Sequence, residues 1–226
     1  LPVAIRVDGN SAFGEDFGLQ PYPRATFSWV TSDESFWPDG WGELKLRAAW
    51  GHAVRAPGAF DAVRTWEPIP WGGVTSFNPL NVGNPDLGPE RTVEIEAGFD
   101  GSFLDDRLRA TFTYYDQETR DALIPVPLVP SLGFGGSQLR NVGTLSNKGV
   151  ELDLNATMLQ NRTFSWDLGT TVYTNKSEAV DLGGSSGFSV SGGGWVQEGY
   201  PVPAVRFDRV LNPDDLAEPE VERDYI

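Results

Sequence analysis

RTVEIEAGFDGSFLDDRLRATFTYY, residues 91–115, decides how the rest of the chain is read. Val93, Ile95, Ala97 and Phe99 fall on one side of an extended backbone. Thr92, Glu94, Glu96, Gly98 and Asp100 fall on the other, because successive side chains of a strand point to opposite faces. After a tight turn at Leu104-Asp105-Asp106-Arg107 the alternation resumes, with Leu108, Ala110, Phe112 and Tyr114 against Arg109, Thr111, Thr113 and Tyr115. Two such runs around a short polar turn predict an antiparallel hairpin with one apolar and one polar face. Two architectures accommodate it. A soluble sandwich hides the apolar face in a core, whereas a transmembrane barrel turns it to lipid and keeps the polar face for an aqueous interior.

The same alternation recurs on both sides of this hairpin. Val3, Ile5 and Val7 alternate with Ala4, Arg6 and Asp8, then Ala25, Phe27 and Trp29 with Arg24, Thr26 and Ser28, and Leu44, Leu46, Ala48 and Trp50 with Lys45, Arg47 and Ala49. Further on, Val150, Leu152, Leu154 and Ala156 oppose Glu151, Asp153 and Asn155, and the run 164–173 repeats the pattern. About seven strands result. Their connections are sorted by length, long at 9–20, 52–90 and 127–139 and shorter at 31–41, 103–107 and 159–163. Outer-membrane barrels show this asymmetry, and a sandwich has little reason for it. The expected fold is therefore all-β, an antiparallel up-and-down transmembrane β-barrel fragment with long extracellular loops.

The proline-rich stretch 52–90 reads as one long structureless connection, and the strand that holds Tyr115 is expected to run on through Ile124 and Val126. After Asn175 the alternation fades into Gly-rich stretches at 183–187 and 192–194 and an acidic end with Asp214, Asp215, Glu218, Glu220, Glu222 and Asp224. Residues 1–175 are accordingly expected to be partial barrel, and 176–226 a truncated Gly-rich and acidic extracellular loop region. That acidic end reads first as a solvated loop, with a calcium site of an adhesin as the rival reading. Opening on a strand at Leu1 with no leader, the chain is expected to be a fragment.

Composition narrows the function classes. A formal charge of −15 over 226 residues repels nucleic-acid phosphates. Without cysteine there is neither a disulfide framework nor a thiolate metal site, and the single histidine, His52, makes a poor start for a metal centre or a catalytic triad. No apolar run is long enough for a membrane helix, whereas a transmembrane strand needs only about 9–11 alternating residues. No catalytic residue, metal ligand or cofactor site is assigned. Glu94, Glu96 and Asp100 share a polar strand face and read as the lining of an aqueous interior rather than an acid/base pair. Trp29, Trp50, Tyr114, Trp166 and Tyr173 suit stacking on sugar, but the outward-facing ones suit a membrane-interface girdle better. The loop aromatics Trp66, Trp71, Phe77, Phe134 and Trp195 are the candidate ligand contacts.

The motifs then carry a likeness. Arg6-x-Asp8-Gly9-x-Ser11-x-Phe13-Gly14, Tyr22-Pro23, Trp29 and Ser32-Asp33-Glu34-x-Phe36 are followed by Leu44-Lys45-Leu46-Arg47 with Gly51. Next come Asn84-Pro85-x-Leu87-x-Pro89-Glu90, Leu139-Arg140-Asn141-Val142-Gly143 and Asn147-Lys148-Gly149-x-Glu151-Leu152. In this order, across residues 3–202, they resemble the barrel of TonB-dependent outer-membrane receptors, most closely the SusC/RagA type. That type more often places a Lys-Trp pair where Gly88-Pro89 stands here. The resemblance implies a 22-stranded barrel with a plugged lumen in the bacterial outer membrane, not an enzyme, importing a glycan, peptide or metal chelate. Its implied partners are outer-membrane lipid, the TonB complex through regions absent here, and a SusD-like surface lipoprotein. A secreted, soluble β protein that binds or cleaves polysaccharide is the alternative, and it requires Leu44, Val93, Phe112 and Leu152 to meet in a core.

Overall fold

A computed structural model describes residues 1–13, 18–129, 131, 136–190, 192–211 and 221–225. The strands are β1 (Val3–Asp8), β2 (Gln20–Val30), β3 (Glu43–Arg55), β4 (Thr65–Trp71), β5 (Val74–Asn81), β6 (Glu90–Phe103), β7 (Leu108–Arg120), β8 (Leu123–Pro127), β9 (Ser137–Asn141), β10 (Thr144–Gln160), β11 (Ser165–Asp181), β12 (Phe188–Ser189), β13 (Trp195–Val196), β14 (Arg206–Val210) and β15 (Val221–Tyr225). Seven of them form one antiparallel meander in the order β1-β2-β3-β6-β7-β10-β11, and the other eight pair off as two-stranded ribbons.

Residues 91–115 form the β6–β7 hairpin, with Phe103 opposite Leu108, Phe99 opposite Phe112 and Ala97 opposite Tyr114. The turn between them holds Leu104, Asp105 and Asp106 at positive φ, a region that aspartate tolerates better than most residues, and the Ser102 hydroxyl donates to Asp106. Cross-strand partners share a face, so the register carries the apolar face unbroken over the meander. One row runs Trp29–Leu46–Phe99–Phe112–Leu152–Val172. Leu44, Val93, Phe112 and Leu152 all lie on this side, and none of them is buried. The core that a soluble sandwich needs is not built from them.

The apolar band is oblique to the hydrogen-bonded rows. Towards the short turns it ends in β2 at Trp29, but in β11 it continues to Trp166, six residues beyond the same row and five strands across. Its other margin slides in the same direction. Trp50 marks it four residues above the row in β3, Tyr114 two residues above in β7, and Val172 on the row in β11, where Thr174 and Lys176 follow. A drift of about one residue, some 3.3 Å, for each strand spacing of about 4.8 Å corresponds to strands inclined by about 35° to the band. Strands of transmembrane barrels tilt by this amount.

The structure differs from the sequence reading in three places. Residues 52–90 are not structureless, since β3 extends to Arg55 and β4 and β5 form a ribbon inside the stretch. The strand holding Tyr115 stops at Arg120, where Asp121 takes φ 55°, and Leu123–Pro127 turns away to pair with β9. The alternation that fades after Asn175 does not end the strand, because β11 pairs with β10 as far as Asp181. Backbone pairing with a partner strand overrides weak local pattern in the last two cases.

Buried apolar residues gather at the long-loop end. Ala122, Ile124, Ala179, Leu182, Phe188 and Val196 form one cluster, with Val126, Val142, Leu145, Val190 and Val202 packed against it. The meander is thus a single layer, and the sizeable core among the described residues caps one end of it.

If the apolar face meets lipid, Leu154→Arg in the middle of the β10 band should destabilise the full-length protein by about 2–4 kcal/mol. Asn155→Arg, on the opposite face, should cost about 0.5 kcal/mol or less. Urea titration of the protein refolded into lipid vesicles measures both.

Candidate functional site

The polar face of the meander is cross-linked by side chains that need small neighbours. Arg47 on β3 reaches over Gly98 of β6 to donate to the Thr113 hydroxyl, and to the Phe112 carbonyl at 3.5 Å, while its Nε lies 3.5 Å from Asp100. Tyr115 lies across Gly149. A Cβ at 149 would sit 2.5 Å from the Tyr115 hydroxyl and 2.1 Å from the Thr174 carbonyl oxygen, so this motif glycine is required by close approach. Gln117 Nε2 donates to Glu94 at 3.1 Å.

Charge is divided along this face. On β1–β3 Arg6, Arg24, Lys45, Arg47 and Arg55 outnumber Asp8 and Glu43, whereas on β6–β11 Glu94, Glu96, Asp100, Glu151, Asp153 and Asp167 outnumber Arg109. Direct pairing sets all of these side chains on the polar side of the meander.

At the long-loop end two of the motifs interlock. Asn141 Oδ1 accepts from the Gly88 amide at 2.6 Å, and its Nδ2 donates to the carbonyls of Gly88 and Asp121, each at 2.9 Å. Asn84 donates to the Leu139 carbonyl at 3.2 Å, Gln138 to that of Gly83 at 2.5 Å, and the Leu123 amide to Glu90 Oε2 at 2.9 Å. Leu87 is fully buried beneath these bonds. The two long connections, 56–89 and 121–143, are therefore fastened at their bases into one body.

The aromatics picked out as candidate ligand contacts occupy two places. Trp66 and Phe77 share one face of the β4–β5 ribbon with Pro68 and Pro79, and Trp71 stands at its tip opposite Val74 on the other face. All three are exposed, at 51%, 64% and 73%. Trp195 belongs instead to β13, where the Arg206 guanidinium lies 4.2 Å above its ring. Phe134 lies outside the described residues, as do Asp214, Asp215, Glu218 and Glu220 of the proposed calcium site. Glu222, from the same acidic end, pairs with Arg209 at 2.8 Å. No group of three or more acidic or histidine side chains suited to a metal ion occurs among the described residues.

Comparison with known proteins decides what this inside-out sheet belongs to. The family model for the TonB dependent receptor-like β-barrel matches residues 1–214. The chain belongs to the TonB-dependent receptor family. TonB-dependent receptor P26 of Formosa agariphila is 35% identical over 167 residues, which are 70% of this chain and 16% of that protein. TonB-dependent receptor SusC of Bacteroides thetaiotaomicron is 28% identical over 163 residues, 67% of this chain and again 16% of the relative. Among solved structures, that of the RagAB peptide transporter superposes with a TM-score of 0.82 over 92% of this chain and 23% of the other, at 23% identity.

Receptors of this family are transporters rather than enzymes, and the chain is a segment of an outer-membrane β-barrel. The apolar face is accordingly the lipid face and the polar face lines the lumen. The short turns are periplasmic and the long loops extracellular. Aromatics mark both interfaces. On the periplasmic side Trp29 packs edge-on against Phe36 at 6.1 Å and Trp37 against Trp41 at 6.0 Å. Trp29 also donates to Glu34 and Trp37 to the Gly42 carbonyl, each at 2.9 Å, as suits side chains apolar at one end and polar at the other. On the extracellular side Trp50 meets His52 at 5.0 Å.

Of these features, the alternation and the loop aromatics were visible to sequence reasoning. The Asn141–Gly88 clip was visible only as two separate motifs, since nothing local says that residues 53 apart share hydrogen bonds. Arg24 and Gly51 lie side by side on the lumen face; Gly51 was visible as a motif glycine, whereas Arg24 carried no signal beyond alternation.

Asn141→Ala removes an acceptor and two donations at once, leaving partly buried backbone groups unpaired at about 1–3 kcal/mol. Residues 56–90 of the full-length protein should then exchange amide hydrogens and be cleaved by protease faster than in the wild type. The heat-modifiable electrophoretic mobility of the barrel should not change.

Proposed function

We propose that this chain is the wall and part of the extracellular mouth of an outer-membrane importer that takes up a nutrient such as a glycan, peptide or metal chelate. Residues 1–175 serve as barrel, and 176–226 belong to the extracellular side. Ligand is captured at the loops and passed inward, with TonB supplying the drive through parts of the protein outside this segment. A SusD-like lipoprotein covers the mouth. The observation that carries the reading is the oblique apolar band on a sheet whose other face is polar and charged, in a chain of this family.

Further support comes from named relatives. SusC is named a TonB-dependent receptor, and the RagAB structures are those of a peptide transporter and importer. Trp66, Trp71, Phe77 and Trp195, with Phe134, are assigned to ligand contact. A stacking ring needs an exposed face, and the three on the β4–β5 ribbon have one.

Cells carrying the full-length gene should take up a nutrient that a deletion strain does not. Uptake should stop when the proton-motive force is collapsed, and a surface lipoprotein should co-purify with the receptor in detergent. Replacing Trp71 with alanine should weaken ligand binding several-fold while leaving the amount of receptor in the membrane unchanged. Uptake that is indifferent to both the deletion and the proton-motive force would remove the reading.

A further inference from the structure

Near the extracellular margin of the lipid band, on the lumen side, one cross-strand row reads Ala4–Arg24–Gly51–Glu94–Gln117–Asn147–Ser177. The row beneath it runs Thr26–Ala49–Glu96–Tyr115–Gly149–Asn175. The lumen-facing residues of β3 at this height are Ala49, Gly51 and Ala53, so β3 lays a floor of small side chains between two banks. Arginine stands on one bank, with Arg24 beside Gly51 and Arg6 diagonal to it across β1–β2. Carboxylates stand on the other, at Glu94 and Glu96. A Cβ at residue 51 would lie 3.5 Å from that of Arg24, which makes the floor and the basic bank immediate neighbours.

Neither bank neutralises the other. Arg24 is exposed and makes no ion pair among the described residues, and Arg6 is paired with Asp8 at 2.6 Å. Glu94 accepts from Gln117 and shares a side-chain hydrogen bond with Glu96, so the two carboxyl groups stand together as one acidic pair that keeps further acceptor capacity. A cavity of about 750 Å³ opens over the basic bank and is lined by Arg6, Asp8, Tyr22, Arg24 and Ala53 among others.

We infer that this groove binds a dipolar ligand, a short peptide with free termini, its carboxylate on Arg24 and its ammonium on Glu94 and Glu96. This inference rests on the import reading above and names the ligand chemistry for it. The banks are two strand spacings apart, about 10 Å. An extended tripeptide spans about the same distance between its ends. A uniformly anionic polysaccharide would meet the acidic bank, and a neutral glycan would leave the separated charges without partners. A ligand carrying both signs satisfies both banks, and each of its ends is held by charge-assisted hydrogen bonds.

Trialanine with free termini, N-acetyl-trialanine and trialanine amide, titrated calorimetrically into the purified full-length receptor in detergent, test the inference. The free peptide should bind about ten-fold or more tighter than either capped form, because each cap abolishes the charge at one end and with it a charge-assisted hydrogen bond. Arg24→Gln should erase the preference for the free carboxylate and keep that for the free amine. Glu94→Gln should do the reverse, and Arg24→Lys should restore part of the first. Heat-modifiable mobility checks that each variant is folded. Equal binding of all three peptides, or preferences that the two variants leave in place, overturns the inference. If deletion abolishes uptake of some nutrient and none of the peptides binds, the import reading stands and the dipolar groove falls.

Discussion

Every backbone N–H and C=O that crosses the hydrocarbon must find its partner within the sheet, because lipid offers none and each orphan costs several kcal/mol. The inner strands of the meander obey this constraint, while the edge strands β1 and β11 pair on one side. β3 with β6, β6 with β7, and β7 with β10 pair residue for residue without a shift, and the register shifts of β10 with β11 fall near the ends, at residues 144–145 and 157–159. Continuous pairing is what carries Phe99, Phe112 and Leu152 onto one face. A one-residue slip anywhere would send the lipid-facing side chains of every later strand into the lumen.

Fixed register also decides what the lumen face can hold. Small residues appear where a long side chain from another strand must cross, as Gly98 does beneath Arg47 and Gly149 beneath Tyr115. Salt links on this face are lateral: Lys45 lies 3.8 Å from Asp100, with Arg47 beside the same carboxylate. Such exposed pairs add little stability singly. Their larger effect is on the field they leave, net basic along β1–β3 and net acidic along β6–β11. The extracellular end follows different physics, with a buried apolar cluster around Leu182 and a hydrogen-bonded clip around Asn141 holding long connections that no lipid supports.

Much of this was legible in the sequence. Alternation through Val93–Phe99 and Leu108–Tyr114 gave the hairpin and its two faces, and sorted connection lengths gave the choice between membrane and soluble barrel. The likeness of the ordered motifs to TonB-dependent receptors holds for the family. The sequence did not show where strands stop, because β7 ends at Arg120 where the non-glycine Asp121 takes positive φ, and β11 continues beyond its weak alternation by pairing with β10 as far as Asp181. Nor did it show the β4–β5 ribbon, whose prolines at 68, 70 and 79 mask a strand pattern. The Arg24–Gly51–Glu94 row was hidden for a simpler reason. Its members are 27 and 43 residues apart, and only the register of three strands puts them side by side.

The central claim is the orientation of the sheet, and fluorescence quenching from within the bilayer tests it most directly. Single cysteines at 46, 112 and 152 of the full-length receptor in vesicles, labelled with a small fluorophore, should be quenched by brominated lipid tails and spared by aqueous iodide. Cysteines at 47, 113 and 151 should show the opposite. Tail quenching at both sets, or aqueous quenching at 46, 112 and 152, would contradict the account.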